Sequence, residues 1–391
     1  MSSFLVAGCR TPIGKLCGTL SSWTAPQLGA AVVRDVLRRA GLAPEQVDEV
    51  VMGDVLQAGL GQAPARQAAL GAGLPPTVSA LTVNMMCGSG LRAVMLADAA
   101  IRAGTARCIV AGGMESMTRA PHLLLGTRLG WKYGHQQAVD SMIADGLWCA
   151  FENQAMGAAA DHTAAKYDVS RADQDRWACE SHRRAIAARD AGEFRREIVP
   201  IDVAAGKTKT TIIDDEGPRA DADPDRLATL KPAFAADGTV TAGNASQISD
   251  GAAAAAVVDE GMLKTLDVPW AFRIVASATS GVAPREIFIA PVAAVERCLA
   301  AAGWSVADVD LFEINEAFAS QTSACARGLK VDEAQLNVRG GAIALGHPIG
   351  ASGARVLVTL MHALVDRNLR RGAAALCLGG GNAVALLIER M

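Results

Sequence analysis

The sequence predicts an α/β protein made of two similar halves, each a mixed sheet covered by helices, with a loop domain inserted between them. Three observations lead to this prediction. Hydrophobic residues make up 51% of the 391 residues but aromatic residues only 4%, beside 39 glycines, a composition typical of helices packed closely on sheets. Strand and helix patterns alternate along the chain. Finally, the second half repeats the first in the same order.

The first half begins with a short strand, SFLVAG, near residue 3. An amphipathic helix, AAVVRDVLRR, leads into an Ala-Gly pair and a strand in AGLAPEQVDEVVMGDV (residues 40–55). A turn and a helix follow in CGSGLRAV (87–94), and then a buried strand that ends in glycines, CIVAGGM (108–114). We assign residues 1–118 to this half and expect about 250–269 to complete it.

Residues 119–249 break this pattern. They carry most of the charged runs, such as SRADQDRWACESHRR, and most of the polar loop sequence. Inserted loops often carry binding residues, so we predict a cap folded over one face of the core, where it would bind substrate. The alternative is a solvated decoration without a role in binding.

The second half, residues 270–391, repeats the order of the first. Its first strand is FRIVASA near residue 272, and its helix is VAAVERCLAA. Three segments then match those of the first half: AGWSVADVDLFEINEA (302–317), GASGARVL (350–357) and ALCLGGG (375–381). A shared Ser-Gly-x-Arg opens a helix in both halves, and the last match pairs Cys377 with Val110. Two such halves would stack helices between their sheets.

Charge, hydropathy and cysteine spacing exclude several classes of protein. The formal net charge is −3, without the basic footprint of a nucleic-acid binder, and no run approaches the roughly 20 apolar residues of a membrane span. The start has no signal-peptide pattern, and the nine cysteines form no CxxC pair for zinc, which predicts free thiols in a reducing, cytoplasmic setting. The segment from Gly8 to Lys15 fails as a P-loop, and no dinucleotide motif follows a strand, so neither ATP nor NAD is indicated.

Cys87 stands between a β-rich segment and a helical pattern, and Gly88 and Gly90 follow it. This context predicts a strand-to-helix turn, where the helix dipole lowers the thiol pKa and the glycines bring backbone N–H groups close. A lone cysteine is more often a small core residue, but this context favours a nucleophile.

His347 lies in a glycine-rich loop, GGAIALGHPIGASGAR, which the repeat makes the counterpart of the Cys87 turn. Two halves related in this way would direct one thiol and one imidazole into a shared cleft. Cys377 ends the last buried strand, where its thiol could act as an acid or base or simply fill the core. Asn315 ends another strand, where its amide could hold a water molecule or only cap a turn.

These motifs together resemble those of the thiolase family. NMMCGSGLRAV is similar to its nucleophile motif, and AGGMESMTRAPH, TAGNASQISDGAAA, NEAFA, GGAIALGHPIGASGAR and CLGGG follow in family order over essentially the whole chain. The resemblance implies a duplicated thiolase-like fold stacked in α-β-α-β-α layers. It also implies an acyltransferase of fatty acid metabolism that acts on acyl-CoA and coenzyme A without a permanently bound cofactor or metal, as a homodimer or homotetramer.

The resemblance implies a role for each catalytic position. Cys87 would carry the acyl group, and His347 would take its proton. Cys377 would exchange a proton with the α-carbon of the second substrate. Asn315 would hold a water molecule, forming one oxyanion hole with His347, while the backbone N–H groups of Cys87 and Gly379 would form the other.

The resemblance also implies a set of coenzyme A contacts. Ser246 matches the serine that meets the pantetheine arm, and Arg219 is the candidate for a phosphate contact. The other implied contacts line the path of the coenzyme: Leu147, Met156, Leu230, Phe234, Ala242, Ala317 and Phe318.

The chain departs from the family pattern near the expected acyl pocket. Ala155 stands where short-chain thiolases often carry histidine, and Ile287, Phe288 and Ile289 replace a Met-Gly-x stretch. The change at Ala155 favours longer or branched acyl groups, whereas the bulk of Ile287, Phe288 and Ile289 could narrow the pocket or pack behind it. We expect activity on acyl groups beyond four carbons. Two rival functions stay open at this point: a decarboxylating ketosynthase of the same fold, and a non-catalytic lipid- or acyl-CoA-binding protein.

Overall fold

The computed structural model describes residues 2–205 and 208–391; Met1, Gly206 and Lys207, which fall in the predicted segments 1–118 and 119–249, lie outside the described residues. The strands are β1 (Ser3–Arg10), β2 (Gly14–Lys15), β3 (Glu49–Gly53), β4 (Ser79–Val83), β5 (Cys108–Ser116), β6 (His122–Leu123), β7 (Val139–Asp140), β8 (Trp148–Cys149), β9 (Gln154–Ala155), β10 (Ile201–Ala205), β11 (Thr208–Ile212), β12 (Ser249–Asp259), β13 (Phe272–Gly281), β14 (Leu311–Ile314), β15 (Arg371–Leu378) and β16 (Asn382–Arg390).

The α-helices are α1 (Ala25–Ala40), α2 (Pro64–Ala72), α3 (Ser89–Arg102), α4 (Met156–Lys166), α5 (Arg171–Asp190), α6 (Pro224–Ala228), α7 (Glu260–Leu263), α8 (Ala290–Ala302), α9 (Ala319–Leu329), α10 (Ala342–Leu345) and α11 (Ser352–Asp366). One π-helical segment spans Met142–Leu147. Short 3₁₀ segments cover Pro44–Gln46, Met117–Arg119, Thr127–Leu129, Glu193–Arg196, Pro284–Ile289, Val306–Asp308 and Glu333–Gln335.

Two sheets of the same topology form the core. The first has the order β4-β3-β5-β12-β1 and the second the order β14-β15-β16-β13. In each, the strand after the first long helix pairs in parallel with a later strand (β3 with β5, β14 with β15), and two antiparallel pairings follow. The first sheet has one further strand, β4, which pairs in parallel with β3. This shared topology supports the duplication that the sequence predicts.

The two sheets are joined edge to edge, which the sequence did not indicate. Strands β1 and β13 pair through only two residue pairs, Phe4 with Arg273 and Leu5 with Phe272. With β2, which pairs with β12, the result is one ten-stranded mixed sheet. Beyond this short contact, α3 and α11 pack between strands of both halves.

The layers follow from the burial pattern of the strands. In β12, Ala252, Ala254 and Ala256 pack in one hydrophobic cluster with α1 and α2, while Ala253 and Ala255 pack in another with α3 and α11. A strand covered by helices on both faces needs apolar residues at every position, which explains its continuous alanine run. Helices α8 and α9 cover the outer face of the second sheet. The α-β-α-β-α layering is thus the predicted one.

The repeated Ala-Gly pair ends equivalent helices. Gly41 follows α1 with φ of 63°, and Gly303 follows α8 with φ of 66°. Both lie in the left-handed region, where a glycine closes a helix without a Cβ clash.

The repeat is out of register at its last match. The Asp48 carboxylate accepts the N–H groups of Arg107 and Cys108, and the Asp310 carboxylate accepts those of Arg370 and Arg371. Strand β5 therefore begins where β15 begins, and the counterpart of Cys377 is Met114. The predicted pairing of Cys377 with Val110 is wrong. It aligned Gly112 and Gly113 with the glycines after Cys377, but Gly112 and Gly113 lie inside β5, whereas Gly379 to Gly381 follow β15.

The region between the halves packs mainly on the second half. Helices α4 and α5 lie against α9, and α5 also contacts α10. Glu316 connects α5 to the second half. Its carboxylate accepts hydrogen bonds from Trp177 and Ser181 of α5, and also from the Asn337 side chain and the backbone N–H of Ile343 in α10. The boundaries at 118, 249 and 270 stay predictions. Within the described residues, no helix is both long and apolar enough to cross a membrane.

Candidate active site

The starts of α3 and α11 cross each other in the central layer, at the glycines of the repeated Ser-Gly-x-Arg. A Cβ on Gly90 would lie 2.7 Å from the backbone nitrogen of Ala354, and a Cβ on Gly353 would overlap the backbone nitrogen of Leu91. Only glycine permits so close an approach of two backbones. The contact brings together the segments that precede the two helices, which carry Cys87 and His347.

The two serines of the same motif hold these segments in equivalent ways. Ser89 accepts a hydrogen bond from the backbone N–H of Met85 at 2.8 Å and donates one to the carbonyl of Met86 at 2.6 Å. Ser352 Oγ lies 2.6 Å from Nδ1 of His347 and donates to the carbonyl of Pro348 at 2.9 Å. One serine therefore shapes the Cys87 turn, and the other orients the imidazole.

Cys87 is half-buried on the turn between β4 and α3. Burial raises the pKa of its thiol to about 12, and the backbone N–H groups of Cys87 and Gly379, which favour the thiolate, offset only part of this effect. The charge of Glu115 raises the pKa further. The prediction of a lowered thiol pKa is therefore wrong for the free protein, because burial of the sulfur outweighs the two backbone donors at the helix start.

His347 is buried and neutral. Burial, together with the charge of Arg355, lowers the pKa of its imidazole to about 3. Since Ser352 uses its proton on the Pro348 carbonyl, Nδ1 of His347 carries the ring proton and donates it to Ser352. Nε2 is then an unprotonated acceptor, buried and without a hydrogen-bond partner among the described residues. That nitrogen is available as a base.

Cys377 lies near the end of β15, and its thiol is 1% exposed. Burial raises its pKa well above the usual range, and the neighbouring Cys87 and Cys325 raise it further. Gly379 follows the strand, and its N–H group faces the sulfur of Cys87. Two backbone donors, from Cys87 and Gly379, thus converge on the Cys87 sulfur, and their role as an oxyanion hole stays a prediction.

Asn315 is fully buried directly behind His347. Its Nδ2 lies 3.5 Å from Nδ1 of the imidazole, and its Oδ1 lies 3.5 Å from Nη2 of Arg355. Its side chain does not line the cavity described next, so its predicted water contact stays a prediction.

Three of the predicted catalytic side chains, Cys87, His347 and Cys377, meet at one cavity of about 60 Å³. Gly379 also lines it, as do five of the predicted coenzyme A contacts: Leu147, Met156, Ser246, Ala317 and Phe318. The remaining wall is apolar and is formed by Met86, Gly146, Ile287, Phe288 and Ile349. The apolar wall and the burial of His347 and Cys377 limit the access of water to the reacting groups.

A second, larger apolar cavity of about 420 Å³ adjoins the first, since both are lined by His347, Ile349 and Phe318. Phe234, a predicted coenzyme A contact, and Ala155, the departure expected near the acyl pocket, both line it. Its other lining residues include Met117, Met142, Ile143, Trp148, Gly157 and Ile248. The pair of cavities offers a path from the surface loop region to the two thiols.

The polar end of the predicted coenzyme site is a separate pocket. Arg219 and Ala242 line it together with Arg226, His182 and Asp221, and the backbone N–H of Arg219 donates to Nδ1 of His182. It adjoins the larger cavity through Ala245 and Gln247, which line both. Leu230 lines neither pocket. It lies just behind the polar pocket, because a Cβ on Gly243, which lines that pocket, would be 2.7 Å from Cδ1 of Leu230.

Comparisons with known proteins agree with this geometry. Residues 3–261 match the family model described as thiolase, N-terminal domain, and residues 268–390 match the one described as thiolase, C-terminal domain. The chain belongs to the thiolase family. The predicted family and fold class are therefore confirmed, and with them the prediction of an acyltransferase.

Relatives of this thiolase are similar over their full length. The acetyl-CoA acetyltransferase of Pseudomonas aeruginosa is 52% identical over 99% of this chain and 98% of its own. The probable acetyl-CoA acyltransferase of Staphylococcus aureus is 46% identical over the same shares. The crystal structure of the Bacillus anthracis acetyl-CoA acetyltransferase superposes with a TM-score of 0.97, at 39% identity, and covers 100% of this chain and 99% of that one.

Several residues of the thiolase site were not singled out from the sequence. Ser352 and Arg355 act on His347, and their signal was present in the Ser-Gly-x-Arg repeat. Ile349 lines both cavities, and Met86, with φ of 50°, shapes the turn before Cys87. A positive φ on methionine leaves no mark in the sequence. Within the described part of the chain, no cluster of side chains could hold a metal ion.

Proposed function

We propose that this thiolase transfers an acyl group between coenzyme A and the α-carbon of a second acyl-CoA, through a thioester on Cys87. The observation that carries the proposal is the meeting of Cys87, Cys377 and the free Nε2 of His347 at one cavity. Two thiols and a base without another partner are the groups that Claisen chemistry on thioesters needs.

The first half-reaction begins from neutral groups. As the thioester carbonyl of the acyl-CoA binds near the N–H groups of Cys87 and Gly379, the Cys87 thiol gives its proton to Nε2 of His347. The thiolate attacks the carbonyl, the acyl–sulfur bond to coenzyme A breaks, and the departing sulfur takes the proton from His347. The acyl group is then bound to Cys87.

In the second half-reaction, Cys377 acts on carbon. Nε2 of His347 takes the proton of the Cys377 thiol, the Cys377 thiolate removes a proton from the α-carbon of a second acyl-CoA, and the resulting carbanion attacks the Cys87 thioester. The carbon–sulfur bond to Cys87 breaks, the Cys87 thiolate takes the proton back from His347, and the product is a 3-ketoacyl-CoA. Thiolysis follows the same steps in reverse. His347, together with a water molecule held by Asn315, would polarise the second carbonyl, which supports the acidity of its α-proton.

Coenzyme A would enter across the region between the halves. We propose that its phosphates meet Arg219 in the polar pocket and that its pantetheine arm passes Ser246 towards Cys87. The apolar contacts along this path would be Leu147, Met156, Phe234, Ala242, Ala317 and Phe318. Coenzyme A is a substrate in this scheme.

The test is to trap the acyl-enzyme. Incubation with labelled acetyl-CoA should place the label on the peptide that contains Cys87, and acetoacetyl-CoA should be consumed when coenzyme A is added. Cys87→Ala should abolish both. Cys377→Ser should still accept the label but condense slowly, because only the carbon step needs the second thiol. Undiminished labelling of Cys87→Ala would overturn the assignment, and near-normal turnover of Cys377→Ser would remove Cys377 from the mechanism. A binding protein would give neither signal.

We further propose activity on 3-ketoacyl-CoAs with more than four carbons. Ala155 lines the larger apolar cavity, where a small side chain leaves room, whereas Ile287 and Phe288 add bulk to the smaller cavity beside the thiols. An extra methylene in an apolar pocket changes specificity about 10–200-fold. A steep fall of kcat/KM after acetoacetyl-CoA, with a 2-methyl branched substrate inert, would contradict this proposal.

We also propose a homodimer or homotetramer in a reducing, cytoplasmic setting. Strand β4 ends the first sheet, and Leu81 on it is 45% exposed, so its edge is open to pairing with a second copy. All nine cysteines, each within the described residues, are free thiols, as the chemistry on Cys87 and Cys377 requires.

A further inference from the structure

Two carboxylic acids, Asp54 and Glu115, are buried side by side where the Cys87 turn and the His347 loop meet. Both are fully inaccessible to solvent. Asp54 follows β3, and Glu115 lies near the end of β5. The mechanism proposed above uses neither residue. A buried pair of acids is costly unless a proton or a set of hydrogen bonds offsets the charge.

Glu115 accepts hydrogen bonds from the His347 loop and from the segment that follows β3. Its Oε2 accepts the N–H of Gly350, on the His347 loop, at 2.8 Å and that of Val55 at 3.1 Å, and its Oε1 accepts the N–H of Leu56 at 3.1 Å. Gly350 has little freedom to move away, because its carbonyl oxygen rests against glycines. A Cβ on Gly53 would lie 2.7 Å from that oxygen.

Asp54 connects the pair to the other catalytic segment. Its backbone N–H donates to the carbonyl of Val83, the last residue of β4 before the Cys87 turn. Its two side-chain oxygens are buried and have no other donor among the described residues. If Asp54 were ionised, its two carboxylate oxygens would face the Glu115 carboxylate, and neither group would have a proton to donate to the other. With one proton, it donates to Glu115 instead.

We propose that Asp54 and Glu115 share one proton and that this buried acid pair positions the Cys87 turn and the His347 loop against each other. Both are positioning residues, since neither lines the cavity of the thiols. Burial and the charge of Glu115 raise the pKa of Asp54 to about 9. Burial also raises the pKa of Glu115, but three backbone N–H groups oppose that rise, whereas no backbone donor reaches the carboxylate of Asp54 among the described residues. Asp54 therefore holds the proton at neutral pH.

The neighbouring titratable groups define what the pair controls. They are Cys87 on the turn, whose thiol pKa the charge of Glu115 raises; His347 on the loop, which is neutral; and Asp250 on β12, whose carboxylate accepts the N–H of Thr118. When the shared proton leaves at alkaline pH, two adjacent anions repel each other and loosen both catalytic segments.

The inference rests on the proposed roles of Cys87 and His347. Its test compares wild type, Asp54→Asn and Glu115→Gln, with Asp250→Asn as the control, because Asp250 is another buried acid of the same sheet. The readouts are kcat/KM for acetoacetyl-CoA thiolysis from pH 6 to 10 and the rate of Cys87 alkylation by iodoacetamide, followed by mass spectrometry of its peptide. Alkylation needs no substrate, so it reports on the pair even if the proposed reaction is absent.

An asparagine amide donates to Glu115 at every pH. Asp54→Asn should therefore keep kcat within about threefold at pH 7.5, and its alkaline fall in kcat/KM should move upward by about one pH unit or disappear, while Asp250→Asn keeps the wild-type profile. Glu115→Gln should lower kcat by about tenfold or more, because its amide nitrogen cannot accept a backbone N–H. It should also speed Cys87 alkylation about threefold or more at pH 8, because a negative charge beside the thiol is removed.

The proposal is overturned if the Asp54→Asn profile superposes on that of the wild type, or if kcat falls by one factor at every pH with the alkaline limb unmoved. An unchanged alkylation rate in Glu115→Gln would also overturn it. If Glu115→Gln does not fold, the Asp54→Asn profile still decides.

Discussion

Cys87 and His347 both begin the reaction uncharged. The thiol pKa is raised to about 12 and the imidazole pKa is lowered to about 3, so proton transfer occurs only when a substrate carbonyl is present to receive the thiolate. Proteins that hold a thiolate–imidazolium pair in the resting state differ on this point.

This difference predicts how the free protein reacts with iodoacetamide. The alkylation rate of Cys87 should rise about tenfold for each pH unit between pH 6 and 9, because the thiolate fraction of a group with a pKa above that range grows in this way. Mass spectrometry of the Cys87 peptide gives the rate. A rate that is flat across the range would show a preformed ion pair and contradict the neutral resting state.

Ser352 should control the tautomer of His347. In Ser352→Ala, Nδ1 loses the acceptor that keeps its proton, so Nε2 is no longer held as the base, and kcat should fall about 10–100-fold. The control is Ser323→Ala, since Ser323 is buried on α9 and its hydroxyl has no partner among the described residues. That variant should stay within about twofold of wild type. Equal losses in the two variants would show a general packing effect.

The sequence predicted which residues form the site, but it did not predict their protonation states. The sequence shows the glycines after Cys87 and the repeat of that turn near His347. The structure brings both side chains to one cavity. The direction of the Cys87 pKa was missed because it depends on burial, which is set by chain segments far apart in sequence. The shared proton of Asp54 and Glu115 escaped notice for the same reason.

At the scale of elements, the crossing of α3 and α11 depends on two glycines. Gly90→Ala would place a methyl group 2.7 Å from the Ala354 nitrogen, and neither backbone can move without moving a catalytic segment. We expect the free energy of unfolding to fall by about 2–4 kcal/mol and thiolysis to be largely lost, because overpacked cores shift their backbones.

Chemical denaturation of Gly90→Ala, compared with Gly71→Ala, measures this effect. Gly71 is also a helical glycine, on α2, but it is exposed, and its nearest neighbour would be the Ala30 Cβ at 3.2 Å. Its substitution should leave stability unchanged or raise it by up to about 1 kcal/mol. If Gly90→Ala behaves like this control, the two helices do not need the contact.

Elements were predicted where local chemistry decides them. The helix ends at Gly41 and Gly303 follow from glycine's left-handed conformations, and the strand and helix order of the two halves follows from periodicity. The register of β15 was misjudged because matching runs of glycine outweighed the Asp48 and Asp310 contacts, which only the fold reveals.

For the molecule as a whole, the open edge of β4 predicts association. Light scattering should give at least a dimer, and Leu81→Lys should shift the population towards the monomer, since a charged side chain on an edge strand opposes pairing. The control is Ile213→Lys, whose side chain is 54% exposed and lies away from the sheet edge, next to β11. A monomeric mass for the wild type, or equal shifts in both variants, would contradict the interface.

The duplication explains why whole-molecule architecture was the most predictable level. Each half alone would expose the inner face of its sheet, so a repeated sequence implies two halves that cover each other. The joining of β1 to β13 was not predictable, because only two residue pairs make it and neither carries a distinctive pattern.

The contact between Gly90 and Gly353 bears on ancestry. A chain of half this length, paired with a second copy of itself, would have made the same contact, with identical loops on both sides of its symmetry axis. One gene would then have encoded both loops, so a thiol on one would have meant a thiol on the other. In the present chain, the repeat aligns Cys87 with Gly350 and His347 with Asn84. Duplication of the gene therefore preceded the division of labour between the two loops, because only a second copy left each loop free to mutate alone.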